Sequence, residues 1–257
     1  MILDRIVAKK RQEVAELRAG GIILPAPFRE REIAPPRGFR RALLAYPGIS
    51  VIAEVKKASP SKGVICEDFQ PVDIAINYKR NGAQAISVLT DVDFFQGSLL
   101  YLLQVREAID LPVLRKDFII DELQIREAHV HGADAILLIA AILDRYQLRD
   151  FQACARDFGM DILVEVHNEQ ELDLALAADS QLIGINNRNL KDFSVDIETT
   201  FRLKKRIPAG IPVVSESGLQ DKKDIKRLQD EGVTAALIGE TLMRAGRGGN
   251  VLQALRS

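Results

Sequence analysis

Short apolar runs recur along the chain from about residue 49, and each is followed by enough residues for a loop and a helix. The runs lie near residues 49–55, 85–89, 112–115, 135–140, 161–166, 182–186, 211–215 and 235–239. Runs of this length with many β-branched residues are typical of buried strands. Several intervening stretches open with acidic residues that suit the start of a helix, such as Asp121-Glu122 and Asp221. The pattern therefore predicts eight successive β/α units.

A faint internal repeat favours closing these units into a barrel. Three similar segments each lie between a predicted helix and a predicted strand, and they start 50 and then 100 residues apart: Gly82-Ala83-Gln84-Ala85, Gly132-Ala133-Asp134-Ala135 and Gly232-Val233-Thr234-Ala235. Two β/α pairs repeated four times would produce this spacing in an eightfold barrel. The alternative is a doubly wound open sheet, but its Gly-x-Gly-x-x-Gly turn is not found. We predict an α/β fold, a (β/α)8 TIM barrel with an N-terminal helical extension.

We predict one domain, residues 1–257, in which residues 1–46 form the extension and residues 47–257 the barrel. Residues 1–19 have the spacing of an amphipathic helix, and residues 39–44 that of a second, short helix. The basic side chains of the first helix are interpreted as a solvated face: Arg5, Lys9, Lys10 and Arg11. Since residues 50–257 already supply eight units, we expect a barrel without residues 1–46 to fold, with lower stability.

Polar and ionisable residues follow almost every predicted strand. They occur in Glu54-Val55-Lys56, Arg115-Lys116-Asp117, Glu165-Val166-His167, Asn186-Asn187-Arg188, Ser215-Glu216-Ser217-Gly218 and Gly239-Glu240. Because a TIM barrel holds its active site at the carboxyl ends of its strands, we expect these residues to surround one cavity. Lysines and carboxylates in one cavity shift each other's pKa values, as acid–base catalysis requires.

Each of these residues also has a purely structural interpretation. Glu54 and Lys56 project to the same face of a strand and could form an ordinary ion pair. Lys116 could extend into solvent, and Glu165 could pair with a rim lysine for structure alone. We interpret His167 as a hydrogen-bonded structural residue rather than a ligand.

The composition is that of an ordinary globular protein. The 257 residues are 47% hydrophobic and 28% charged, with a formal net charge of −1, so recognition of an anion must be local. Cys66 and Cys154 are too few for a disulfide framework or a zinc site. Early charges such as Asp4 argue against a signal peptide, and no apolar run is long enough to cross a membrane. We expect a cytoplasmic protein that binds neither nucleic acid nor membranes.

Taken in order, the motifs resemble those of the indole-3-glycerol phosphate synthase family of tryptophan biosynthesis, over nearly the whole chain. The motifs are Ile52-Ala53-Glu54-Val55-Lys56-Lys57-Ala58-Ser59-Pro60-Ser61-Lys62-Gly63, Phe95-Gln96-Gly97-Ser98, Leu114-Arg115-Lys116-Asp117-Phe118-Ile119, Leu163-Val164-Glu165-Val166-His167, Gly184-Ile185-Asn186-Asn187-Arg188-Asn189-Leu190, Ser215-Glu216-Ser217-Gly218 and Leu237-Ile238-Gly239-Glu240. Glu240 departs from relatives that have a serine there. Since a carboxylate would repel a phosphate, only the backbone N–H of Glu240 is expected to bind it.

The resemblance implies a carbon–carbon lyase that closes the ring of 1-(2-carboxyphenylamino)-1-deoxyribulose 5-phosphate, with loss of carbon dioxide and water, to give indole-3-glycerol phosphate. It implies that Lys116 is the general acid for ring closure. Glu165, assisted by Glu54 and Lys56, would carry out the remaining proton transfers. Asn186 would orient a hydroxyl group or a catalytic carboxylate.

The resemblance also implies a substrate-binding set. Four residues would bind the phosphate together with Lys56: Ser217, Gly218, Gly239 and Glu240. Arg188 and Ser59 would bind other polar groups, such as the anthranilate carboxylate, and Glu216 belongs to the same set. The apolar wall for the ring would consist of Phe95, Phe118, Leu137 and Leu190. No metal or organic cofactor is implied.

The partner implied is a small phosphorylated substrate, and we expect a monomer. A weak homodimer or association with other tryptophan-pathway enzymes is the alternative. Two other functions compete with the synthase. One is another phosphate-binding barrel, such as phosphoribosylanthranilate isomerase, whose strand-end motifs differ from those found here. The other is a non-catalytic barrel that binds sugar phosphates, which would have no reason to keep Lys116 and Glu165.

Overall fold

A computed structural model describes residues 2–30, 32, 34–244 and 251–255, and eight parallel strands form a closed barrel at its centre. The strands are β1 (Ser50–Val55), β2 (Ala85–Leu89), β3 (Val113–Lys116), β4 (Ala135–Ile139), β5 (Asp161–Val166), β6 (Ile183–Asn186), β7 (Val213–Glu216) and β8 (Ala235–Ile238). Each pairs with its neighbours in chain order, and β1 pairs with β8, Ser50 opposite Ala235, to close the barrel. The predicted TIM barrel is confirmed, and the open sheet is excluded.

Helices follow the strands around the outside of the barrel. They are α3 (Pro71–Arg80), α4 (Leu99–Ala108), α5 (Glu122–Val130), α6 (Arg145–Asp157), α7 (Glu169–Ala177), α8 (Glu198–Lys204), α9 (Lys222–Asp230), α10 (Glu240–Arg244) and α11 (Val251–Ala254), preceded along the chain by α1 (Ile2–Gly20) and α2 (Phe39–Ala45). A small hairpin, Ala58–Ser59 with Gly63–Val64, lies between β1 and α3. Within the described ranges, no helix combines the length and hydrophobicity needed to cross a membrane.

Alternation along each strand creates two apolar cores. In β1, Val51, Ala53 and Val55 belong to the core between the strands and the outer helices. Ile52 points the other way and packs inside the barrel with residues such as Leu114. Because successive side chains of a strand face opposite sides, Glu54 shares the inner side with Ile52. The same alternation that fills the barrel therefore directs the charged residues at the strand ends toward its axis.

Helix α2 is part of the barrel's interior core. Phe39 and Leu43 are completely or almost completely buried and cluster with the inward-facing residues Ile52 and Leu114. The hydroxyl of Ser50 on β1 donates a hydrogen bond of 2.6 Å to the carbonyl oxygen of Leu43. We therefore revise the expectation that a barrel without residues 1–46 folds, because this deletion would remove two large side chains from the core.

Helix α1 ends where predicted and buries Ile6 and Val14, but its basic residues do not all face solvent. Lys10 is 1% exposed, so its assignment to a solvated face is wrong. Its ammonium forms ion pairs of 2.8–2.9 Å with Glu13, Asp91 and Asp117. Three carboxylates compensate the loss of hydration that would otherwise keep a lysine at the surface. Arg5 and Arg11 are exposed, as predicted.

Candidate active site

A cavity of about 620 Å³ opens at the carboxyl ends of the strands. All sixteen residues singled out from the sequence line it: Glu54, Lys56, Ser59, Phe95, Lys116, Phe118, Leu137, Glu165, Asn186, Arg188, Leu190, Glu216, Ser217, Gly218, Gly239 and Glu240. They come from loops and strands distributed around the barrel. The structure thus brings the predicted set together, and their individual roles depend on the local geometry.

Lys116 lies between two buried carboxylates at the end of β3. Its Nζ is 3.1 Å from Oε2 of Glu165 and 3.6 Å from Oε2 of Glu216. Burial alone would lower the Lys116 pKa, but the charges of Glu165 and Glu216 outweigh burial and raise the pKa above its ordinary value. Lys116 is therefore a cation that can donate a proton or a hydrogen bond into the cavity.

The two carboxylates beside Lys116 respond oppositely to the same surroundings. Burial would raise the pKa of Glu165, but Lys116 and His167 more than compensate and hold it below its usual range. Burial raises the pKa of Glu216 to about 8, since the opposing effect of Lys116 is countered by repulsion from Glu165. The Oε1 atom of Glu216 is buried without a hydrogen-bond partner. An ionised and a more weakly acidic carboxyl thus flank one lysine, as acid–base chemistry needs.

Two glycines make room for carboxylates inside the barrel. A Cβ atom at Gly184 would collide with Oε1 of Glu216, and one at Gly239 would collide with Oε2 of Glu54. The Glu54 carboxylate forms an ion pair of 2.6 Å with Lys56. From the sequence, Glu54 and Lys56 could form either an ordinary ion pair or part of a functional site. The structure shows that they form an ion pair and that both line the cavity. Any larger residue at position 184 or 239 would displace a carboxyl group of the site.

Apolar side chains form one wall of the cavity. The rings of Phe95 and Phe118 lie 6.0 Å apart, and Leu137 and Leu190 line the same space. Helix α1 adds three residues that lie at the cavity: Ile2, Leu3 and Ile6. The extension therefore contributes directly to the site, and this wall can exclude water from an aromatic ring.

The loops after β7 and β8 lie on another side of the cavity. Ser217 and Gly218 both have left-handed backbone conformations, with φ angles of 65° and 82°. Glu240 does not stand alone here, because its carboxylate lies 3.7 Å from Lys62, 3.7 Å from Arg188 and 3.1 Å from Arg244. These cations compensate the negative charge that the sequence places next to an expected phosphate site.

The hydrogen bonds and positions of three further polar residues, Asn186, Arg188 and Ser59, indicate which of their groups can contact a substrate. Oδ1 of Asn186 accepts the backbone N–H of Arg188 at 3.0 Å, so its NH2 group is the part available to a substrate. The Arg188 guanidinium donates to the carbonyl oxygen of Phe193 at 3.3 Å and remains part of the cavity wall. Ser59 is half-buried on the small hairpin, whose Ala58 N–H donates to the Phe95 carbonyl oxygen at 3.2 Å.

Sequence reasoning missed several residues of the site. Lys62 and Arg244 reach the cavity beside Glu240. Lys62 belongs to a loop that suits the binding of an anion but was not placed among the site residues, and nothing in the spacing of Arg244 signals its position. His167, interpreted from the sequence as a hydrogen-bonded structural residue, is hydrogen-bonded to Glu171 and lies 3.2 Å from Glu165. Among the described residues, no cluster of three or more His, Cys, Asp or Glu side chains is arranged to hold a metal ion.

Comparison with solved structures supports the fold. The chain resembles the N-acetylmannosamine-6-phosphate 2-epimerase from Clostridium perfringens, with a TM-score of 0.60, 16% identity and coverage of 76% of this chain and 88% of that chain. It also resembles KGPDC from Streptococcus mutans, with a TM-score of 0.63, 14% identity and coverage of 81% and 95%. At these identities the likeness concerns the fold alone.

Comparison of sequences identifies the family. The model of the indole-3-glycerol phosphate synthase family matches residues 3–255. An indole-3-glycerol phosphate synthase from Desulfotalea psychrophila is 67% identical over 254 residues, which are 99% of this chain and 98% of that protein. One from Chlorobium phaeovibrioides is 53% identical over 243 residues, 93% of each chain. The chain therefore belongs to the indole-3-glycerol phosphate synthase family.

Proposed function

We propose that the protein converts 1-(2-carboxyphenylamino)-1-deoxyribulose 5-phosphate to indole-3-glycerol phosphate, carbon dioxide and water, as a lyase of tryptophan biosynthesis. The observation that carries the proposal is the position of Lys116, whose ammonium lies between Glu165 and Glu216. The cavity around it has an apolar wall and a cationic side. An aromatic acid joined to a sugar phosphate matches both parts of this cavity.

The substrate would lie across the cavity with its phosphate near the loops after β7 and β8. There the backbone of Ser217, Gly218, Gly239 and Glu240 would bind the phosphate, together with the ammonium of Lys56. The ring would lie against the apolar wall, which includes Phe95 and Phe118. Arg188 and Ser59 would bind the anthranilate carboxylate, for which a guanidinium offers two parallel hydrogen bonds.

Ring closure requires an aromatic carbon to attack the ribulose carbonyl carbon while the carbonyl oxygen takes up a proton. Lys116 would supply this proton, because neighbouring carboxylates keep it charged. Loss of carbon dioxide leaves its bonding electrons on the ring, and the hydroxyl formed then departs as water with a proton. Glu165, with Glu54 and Lys56, would carry these later proton transfers, and Asn186 would orient a hydroxyl or a carboxylate through its NH2 group.

We also propose that α1 and the barrel act as one domain, since Ile2, Leu3 and Ile6 of α1 line the same cavity as the strand ends. The proposed partner is the small phosphorylated substrate. A cytoplasmic location and a monomeric state, with a weak homodimer or association with tryptophan-pathway enzymes as the alternative, stay predictions from the sequence.

A turnover assay that follows the fluorescence of the indole product tests the proposal. The wild-type protein should release indole-3-glycerol phosphate from the substrate, and Lys116→Met should lower kcat by about 10²-fold or more while substrate still binds. Lys191→Met is the matched control, because Lys191 is exposed on the rim and does not line the cavity. Binding of the substrate without turnover would instead indicate a non-catalytic sugar phosphate barrel.

A further inference from the structure

His167 lies between two carboxylates at the end of β5. Its Nε2 is 3.2 Å from Oε1 of Glu165, and its Nδ1 is 2.9 Å from Oε2 of Glu171. Its side chain is only 9% exposed. Glu165 in turn contacts Lys116 through its other oxygen, at 3.1 Å. A continuous series of charged groups therefore leads from Lys116 through Glu165 and His167 to Glu171.

The geometry defines how many protons His167 carries. A neutral imidazole has one N–H and one nitrogen lone pair, so one of its nitrogens would point a lone pair at a carboxylate oxygen. Nδ1 of His167 is hydrogen-bonded to Glu171, whereas Nε2 is buried without a hydrogen-bond partner and lies within ion-pair distance of Oε1 of Glu165. The arrangement is attractive on both sides only if both nitrogens are protonated.

Electrostatics agree with this count of protons. Burial would lower the pKa of His167, but its contacts with Glu165 and Glu171 outweigh burial and raise the pKa to about 10. These two carboxylates, one on β5 and one on α7, are the charged groups that act most strongly on the imidazole. The other histidines behave differently, because burial lowers the pKa of both His129 and His131.

Glu171 is itself fixed in place by the start of α7. Its Oε2 accepts the backbone N–H of His167 at 2.8 Å, and its Oε1 accepts Nδ2 of Asn168 at 2.6 Å. Asn168 caps the helix by accepting the Glu171 N–H at 3.0 Å. The imidazole is therefore oriented from the side opposite the cavity, independently of any substrate.

We propose that His167 is a positioning residue, held as an imidazolium by Glu171, that keeps the Glu165 carboxylate ionised and aimed at Lys116. The inference deepens the proposed function and rests on the role that it gives to Glu165. Glu165 then enters each catalytic cycle as a carboxylate, able to accept a proton. One oxygen of Glu165 contacts Lys116, which takes part in the chemistry, and the other contacts His167, which does not.

The charge of His167 is measured directly by ¹⁵N NMR of histidine-labelled protein at about pH 8, above the ordinary histidine pKa of about 6.5. The chain has three histidines, so His167→Gln assigns the signal by its disappearance. We expect both His167 nitrogens to be protonated, and His129 and His131 to be neutral. A neutral His167 at this pH would overturn the proposal, whether or not the protein turns over the substrate.

The pH dependence of kcat/KM tests the effect on Glu165. Loss of a cation next to a carboxylate raises its pKa, so His167→Gln should move the acidic limb to higher pH by about one unit, with KM at the plateau unchanged. Glu171→Gln keeps an acceptor for Nδ1 but removes the charge, and it should move the limb in the same direction. His129→Gln, whose ring stacks on Phe158, should leave the limb in place. A uniform loss of rate at every pH in both site variants would reduce His167 to a structural role and overturn the proposal.

Discussion

Nζ of Lys10 lies 2.9 Å from Oδ1 of Asp117, the residue that follows Lys116 in the chain. The other oxygen of Asp117 accepts hydrogen bonds from Thr90 at 2.6 Å and from Arg115 at 3.0 Å. Burial would raise the Asp117 pKa, but Lys10 and Arg115 lower it below its usual range. The N-terminal helix is therefore tied by a buried ion pair to the position next to the proposed general acid.

Lys10→Met should strongly destabilise the protein. The change would leave Asp91 and Asp117 buried with one cation fewer, and removing one partner of a buried pair typically costs about 3–5 kcal/mol. Urea unfolding of both proteins measures this difference in free energy. Lys9→Met is the matched control, since the Lys9 pair with Asp93 lies at the surface and should contribute little. Equal stability of the two variants would show that the buried pair is not what holds α1 to the barrel.

Removing α1 and removing the whole extension should have different outcomes. A chain without residues 2–24 loses the part of the cavity wall made by Ile2, Leu3 and Ile6 but keeps α2. We expect it to fold with a lower melting temperature and a lower kcat/KM, because water can enter the ring pocket. A chain without residues 1–46 also loses Phe39 and Leu43 from the barrel core and should not fold.

Circular dichroism and steady-state kinetics on the two truncated proteins distinguish these outcomes. Full activity of the shorter deletion would mean that α1 is dispensable packing. A native spectrum for the longer deletion would mean that the barrel can close its core without α2.

Arg188→Ala should act mainly on substrate binding. The guanidinium lines the cavity, and its planar set of N–H donors suits the binding of an anion rather than the transfer of a proton. KM should rise by about tenfold or more, the effect of losing hydrogen bonds to a charged group worth about 1.5–3 kcal/mol. Steady-state kinetics should show a smaller change in kcat.

Arg188→Lys serves as the graded control for this prediction, because it keeps the charge but loses the two parallel hydrogen bonds. Its KM should lie between those of the wild-type protein and of Arg188→Ala. A larger effect of Arg188→Ala on kcat than on KM would move Arg188 from the binding group into the catalytic group.

Local patterns predicted the barrel and the ionisable residues at its strand ends, whereas the apolar wall of the cavity followed from the resemblance to the family. Alternation along each strand and the polar groups at each strand end are properties of adjacent residues, so they are visible in the sequence. The burial of Lys10 is not visible in the sequence, because its partners Asp91 and Asp117 come from distant parts of the chain. The short helix over residues 39–44 was predicted from the sequence, but the entry of Phe39 and Leu43 into the barrel core was not.

Glu216→Gln should change how stability depends on pH. Burial raises the Glu216 pKa to about 8, whereas a glutamate in an unfolded chain titrates near about 4.3. Between these values the folded protein holds a proton on Glu216 that the unfolded chain has released. The contribution of this group to the free energy of unfolding therefore falls as pH rises through this window and is constant above about pH 8. Glutamine does not titrate, so the variant lacks this loss.

The stability of Glu216→Gln relative to the wild-type protein should therefore increase by about 1 kcal/mol for each pH unit from about pH 5 to pH 8. Urea unfolding at several pH values measures it, and the exposed Glu231→Gln provides the matched control with no such trend. A relative stability that is constant over this window would mean that Glu216 is already ionised in the folded protein. In that case Lys116 would face two full negative charges, and the division of the site into one ionised and one protonated carboxyl would be wrong.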